Sequence, residues 1–144
     1  MAQSKRKPRI YLAAPYPRKD EIMAYRDELA SLGFDVTSSW LEEKHAPNVA
    51  LHEVSQSLSK RYAIFDLEDV DRADVLISFT EPQGTSHSRG GRHVEFGYAL
   101  ARGKELWIVG PVENIFHYLV PEDHIFESWA ALMSKAHNIG GWFA

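Results

Sequence analysis

The feature that most restricts this chain is an alternation of short β-branched and aromatic runs with stretches of helical spacing. "RIYLAA", ended by Pro15 and Pro17, reads as a strand emptying into a loop. From Lys19 to Leu32 the apolar residues Ile22, Tyr25, Leu29 and Leu32 recur at helical spacing, and Gly33 is a natural stop. "FDVTSSW" reads as a second strand. A long helical segment is expected from His45 to Leu67, with Val54, Leu58, Ala63 and Leu67 on its apolar side. "ADVLISF" is apolar almost throughout, as a buried parallel strand should be. A helix is predicted from Gly91 to Arg102, stopped by Gly103, and "KELWIVG" is the fourth strand. The pattern then weakens from Pro111 to Ser128, with room for a short strand near His124 to Phe126. A last helix is expected over Trp129 to His137. Strands alternating with helices imply right-handed crossovers and an α/β three-layer sandwich. Its sheet should be parallel, flavodoxin-like or Rossmann-like, with about five strands.

A chain of 144 residues is long enough for one core and too short for two. Residues 1–8 read as a disordered basic tail and 9–144 as one domain. The net charge of -4 gives no support to a nucleic-acid or membrane-surface role, which would show as a cationic field. No apolar run approaches the length of a membrane span, and the basic start lacks the apolar core of a signal peptide. The absence of cysteine removes disulfides and thiolate chemistry and suits a reducing compartment. A cytoplasmic location is the expectation.

In an open parallel sheet, ligands collect beyond the carboxyl ends of the strands. The loops at Ala14–Arg18, Ser38–Glu43 and Thr80–Arg92 arrive there. So does Glu95, a lone acid in "SHSRGGRHVEFGYALARGK", early in the helix that follows the third strand. The helix N-terminus should favour its ionised form. Glutamates in first turns are common and usually solvated, but three features set this one apart. Gly90 and Gly91 let backbone approach a ligand. Gly97 and Ala99 keep the helix surface small beside it. Tyr11, in the first strand, is placed to hold the carboxylate in one rotamer, although alone it would read as a packed core tyrosine. A nucleophile and its orienter are the minimum for covalent glycosyl chemistry. Of two further acids, Asp74 precedes the third strand at its amino end and reads as a turn or cap. Asp66, near the expected end of the long helix, is ambiguous by periodicity. His45, His52, His87, His93, His117, His124 and His137 have no recognisable ligand spacing, so neither metal nor cofactor is expected.

"IYLAAPY", "DLEDVDRADVLI" and "GGRHVEFGYALARGKELWIVG", in this order, resemble the nucleoside 2-deoxyribosyltransferase family, whose relatives include the deoxynucleotide N-glycosidases. The likeness covers residues 9 to 112. It implies that Glu95 attacks C1′ of the deoxyribose and forms a glycosyl-enzyme, that Tyr11 orients it, and that Asp66 contacts the nucleoside and helps handle the leaving base. It places Tyr16 near the base, and makes Asn114 the nearest match to an asparagine that a neighbouring subunit lends to the site. A homodimer or larger homo-oligomer is implied, and Trp142 and Phe143 near the chain end suit docking on the body or a partner.

Departures bear on the substrate. Six residues before the nucleophile the transferases carry an aspartate, and here Arg89 stands in its place, joined by Arg92 and His93. With Ser86, Ser88 and Gly91 at a helix N-terminus, these suit a phosphate. Solvated arginines explain them equally, and "APYPRK" is not the glycine-rich first loop of the monophosphate hydrolases. The leading expectation is cleavage of a 2′-deoxynucleoside with transfer of the sugar to an acceptor nucleobase. Its rival is hydrolysis of nucleoside 5′-monophosphates to base and sugar phosphate by the same nucleophile. A non-catalytic nucleotide-binding module is the third reading, and retention of Tyr11, Asp66 and Glu95 together counts against it.

Overall fold

A computed structural model describes residues 7–43, 55–84 and 90–138. Four parallel strands, β1 (Ile10–Ala13), β2 (Val75–Phe79), β3 (Glu105–Val109) and β4 (Ile125–Phe126), pair in that order. Ile10 lies opposite Val75, and Val75 opposite Glu105, so the strands start level. The helices are α1 (Lys19–Ser31), α2 (Gln56–Arg72), α3 (Gly91–Ala101) and α4 (Trp129–Asn138). α1 meets α4 where Trp129 stacks on Tyr25 at 4.5 Å and its indole donates to Glu28 at 2.7 Å. α2 meets α3, where Tyr98 donates to Asp71 at 2.7 Å. The result is the expected three-layer α/β sandwich. Ile10, Leu12, Leu76, Ile77 and Ile108 are inaccessible to solvent. Burying each such side chain contributes about 1.5–3 kcal/mol.

Two elements depart from the sequence pattern. "FDVTSSW" makes only an isolated parallel bridge, Val36 to Ile10, outside the β1 edge, so the sheet has four strands. Side chains take the ladder's place after it: Ser38 Oγ accepts from Leu12 N at 2.7 Å, and the Trp40 indole donates to Leu12 O at 2.8 Å. With the backbone of Leu12 satisfied this way, the chain turns into a 3-10 turn over Ser39–Glu42. The long helix is also shifted. It starts after Ser55, whose Oγ accepts from Leu58 N at 3.1 Å, and runs five residues past Leu67, because "EDVDR" contains no breaker. Its buried side is Asp69 and Val70, whereas Ala63 is exposed. Val54 and the expected helix start at His45 lie outside the described residues, as do residues 1–6, Trp142 and Phe143.

Glycine is required where β3 leaves the sheet. Gly110 has φ of 121°, and a Cβ there would come within 2.4 Å of Thr80 Oγ1. Asp74 is the turn residue it was expected to be, accepting from Arg9 N at 2.8 Å and tying the start of β1 to that of β2. Among the described residues no helix is long and apolar enough to cross a membrane.

Candidate active site

Tyr11 is fully buried in β1, opposite Leu76. α3 opens at Gly90, whose φ of 93° turns the chain out of the loop and into the helix. The helix packs over β1, β2 and β3. Glu95, in its second turn, is thereby brought onto Tyr11, and the tyrosine hydroxyl donates to Glu95 Oε2. The two residues are 84 apart in the chain. Glu95 itself is only partly exposed.

The electrostatics differ from what the helix N-terminus suggested. Burial pushes the Glu95 carboxyl up to about 7, with Glu43 and Asp69 adding to the rise and the Tyr11 hydrogen bond opposing it. Desolvation outweighs the helix dipole here, because the dipole's effect fades beyond the first turn. Asp66 is pushed further, to about 8, by burial first and then by the charges of Glu95, Glu43 and Asp69. Its Oδ1 is buried without a hydrogen-bond partner, as suits a carboxyl held neutral. Burial and the Glu95 charge raise Tyr11 as well, so its hydroxyl stays a donor. The two acids form a coupled pair with apparent values of about 7 and 8, and a charge on Glu95 favours the proton on Asp66.

At the rim, Tyr16 lies in a 3-10 turn (Tyr16–Arg18), its ring 6.0 Å from that of Trp40 and its hydroxyl 3.4 Å from Glu43 O. Lys19 Nζ donates to the same carbonyl. Glu43, which the sequence reading did not single out, thus ends the segment facing the acids.

The basic residues next to Glu95 divide. Arg92 is buried and forms a two-pronged ion pair with Glu113, at 2.5 and 2.7 Å. Glu113 also accepts from Glu81 N at 2.8 Å. Arg92 therefore braces the exits of β2 and β3 and does not face solvent as a phosphate ligand would. His93 is half-exposed, and burial and Arg92 lower its pKa while Glu113 opposes the shift. Asn114 caps the 3-10 turn Ile115–Leu119 by accepting from Phe116 N at 2.9 Å, and lies 3.5 Å from His93 Nδ1. His117, fully buried beneath it, takes the Glu113 amide on Nδ1 at 3.1 Å. Gly91 and Gly97 both face open space, so the small surface expected at Gly97 is not a close approach. Ser86, Ser88 and Arg89 lie outside the described residues. Among the described residues no group of three or more histidines and acids is arranged to hold a metal ion.

A parallel α/β sandwich carrying a tyrosine-braced acid beside a second raised carboxyl is the class that fold and site define. No family model matches the chain, and no curated protein matches it in sequence. Solved structures do. A 2-deoxyribosyltransferase from the psychrotolerant bacterium Bacillus psychrosaccharolyticus matches with TM-score 0.61 at 23% identity, over 85% of this chain and 88% of that one. A 2-deoxyribosyltransferase from Leishmania mexicana matches with TM-score 0.54 at 20% identity, over 92% and 99%. A CMP N-glycosidase from Clostridium botulinum matches with TM-score 0.52 at 22% identity, over 90% and 98%. At these identities the likeness establishes a shared fold over nearly the whole chain.

Proposed function

We propose that this protein cleaves the N-glycosidic bond of 2′-deoxynucleosides through a covalent deoxyribosyl-Glu95 intermediate and transfers the sugar to an acceptor nucleobase. The observation that carries the reading is the Tyr11 hydroxyl donating to Glu95, with the raised carboxyl of Asp66 alongside. Ionised Glu95 attacks C1′, and the bond to the base breaks with its electron pair passing to the base nitrogen. Asp66 gives that nitrogen its proton. The acceptor base then attacks C1′ from its own ring nitrogen, Glu95 departs as carboxylate, and the acceptor's proton returns to Asp66. Tyr11 holds the carboxylate in one orientation throughout, and Tyr16 offers a ring to the base. The fold shared with two 2-deoxyribosyltransferases supports this choice.

Hydrolysis of a nucleoside monophosphate is the second reading, favoured by Arg89, which stands where the transferases carry an aspartate, and by the fold shared with a CMP N-glycosidase. Water would then take the place of the acceptor base. The test is incubation with deoxyadenosine and thymine, then with deoxynucleoside monophosphates, scoring free base and new nucleoside. Glu95→Ala should lose about a thousandfold or more in turnover, as removal of a nucleophile does. A variant within about tenfold of the parent would leave Glu95 without the proposed role.

A further inference from the structure

We infer that Asp69 is a positioning residue: it pins the Thr37–Glu43 segment to α2 and fixes a buried negative charge one helical turn beyond Asp66. The Asp69 side chain is 3% exposed. Its Oδ2 accepts from Ser39 N at 2.9 Å and from Ser39 Oγ, its Oδ1 accepts from Arg72, and its main-chain oxygen accepts from Thr37 Oγ1 at 2.8 Å. Every side-chain partner is a donor, so the group serves as an acceptor throughout, which is the role of the ionised form.

The anchored residue opens the Ser39–Glu42 turn. That turn places Trp40 against Leu12 O and ends at Glu43, whose carbonyl meets Tyr16. Asp69 therefore anchors the start of the turn whose end meets Tyr16. It also stands at the i+3 position from Asp66, on one face of α2. The charged and titratable groups it pairs with or acts on are Arg72 and Asp66 on α2, Glu95 on α3 and Tyr11 on β1. Arg72 is half-exposed and solvent screens it, whereas Asp69 is not screened in this way. Consistent with that, Asp69 is among the charges that raise Glu95, Asp66 and Tyr11. The sequence resemblance assigns it no part.

The catalytic meaning of this role rests on the proposed function, but its test does not need a substrate. Carboxyl carbon NMR of the whole protein follows the titrations of Glu95 and Asp66 directly. Asp69→Asn keeps the shape and an accepting oxygen while removing the charge. Both titrations should move down by about 0.5–1 pH unit. Ser39→Ala keeps the charge and removes one anchor. It should leave both titrations in place while amide exchange over Ser39–Glu42 speeds up about tenfold, the loss of one hydrogen bond. Unmoved titrations in Asp69→Asn would overturn the charge role, and unchanged exchange in Ser39→Ala would overturn the pinning role. Should Asp69→Asn fail to fold, Ser39→Ala still decides the pinning. If the titrations shift as expected but the parent protein cleaves no nucleoside, the proposed function fails and the role of Asp69 stands.

Discussion

Replacing Asp66 by asparagine should make the protein's stability less sensitive to pH, and the size of the change follows from the burial of the carboxyl. Its pKa is about 8 in the folded protein against 3.8 for the free side chain. The folded state therefore binds a proton that the unfolded state releases once the pH passes 3.8. Because the folded pKa is the higher one, stability is full below that point and is lost as pH rises towards 8. The slope is about 1.4 kcal/mol per pH unit, so between pH 5 and pH 7 Asp66 alone removes about 3 kcal/mol. Glu95, raised to about 7 from 4.5, acts with the same sign over a narrower range. Asp66→Asn keeps the Glu95 part and the opposing contributions of His93 and His117, whose lowered values add stability as pH rises, so its stability should fall distinctly less steeply than the parent's. Domains of this size hold only about 5–15 kcal/mol in total, so the difference is large enough to measure. Urea denaturation at pH 5, 6, 7 and 8, followed through the buried Trp40, Trp107 and Trp129, reads it directly. Two curves that stay parallel across this range would mean that Asp66 is not a buried neutral acid, and the proton assignment to it would fall.

Three further outcomes follow from the same geometry. The pH profile of kcat/KM should be bell-shaped with its maximum near pH 7.5, between the ionisation of Glu95 at about 7 and that of Asp66 at about 8; a profile still rising at pH 9 removes Asp66 as the acid. Glu113→Ala should destabilise the fold, by up to about 3–5 kcal/mol, because it removes the carboxylate paired with the buried Arg92 guanidinium, and a melting temperature equal to the parent's would contradict that pairing. The exposed large hydrophobic residues among those described (Ile64, Phe65, Val94, Ile115, Phe116, Tyr118 and Leu119) all lie on α2, α3 and the 3-10 turn after β3, so self-association through that side is proposed; light scattering should give at least twice 16.4 kDa, and a strict monomer refutes it.

The sandwich was legible because β1 and β2 are buried along their whole length and are therefore almost wholly apolar, as in "ADVLISF". The helix after them was framed by glycines that the backbone requires. The Tyr11–Glu95 contact was legible because Glu95 is a lone acid in its run and Tyr11 lies in the strand placed to meet it. "FDVTSSW" misled because period-2 patterning cannot say that Ser38 and Trp40 will satisfy the Leu12 backbone with side chains. Glu113 carried no local sign of its partner 21 residues earlier, and a buried arginine reads in sequence like a solvated one. Asp69 was in plain view within "DLEDVDRADV". Its i+3 spacing from Asp66 was the available signal, and the misplaced end of α2 hid it.

The same charges bear on which substrate fits. Glu43 and Asp69 both raise the carboxyls of Glu95 and Asp66, so the described half of the candidate site is rich in negative charge. The arginines around it answer acids of their own: Arg92 meets Glu113, Arg72 meets Asp69, and Arg18 meets Glu21. A phosphate dianion entering this field would be repelled by the carboxylates that raise Glu95, and in a partly desolvated pocket that repulsion is not screened away. A neutral nucleoside meets no such cost, and its base offers N–H groups that carboxylates accept. The charge inventory of the described residues therefore supports the nucleoside reading over the monophosphate one. Phosphate bound by Arg89, even with Lys19 at the rim, would have to overcome the field of these acids.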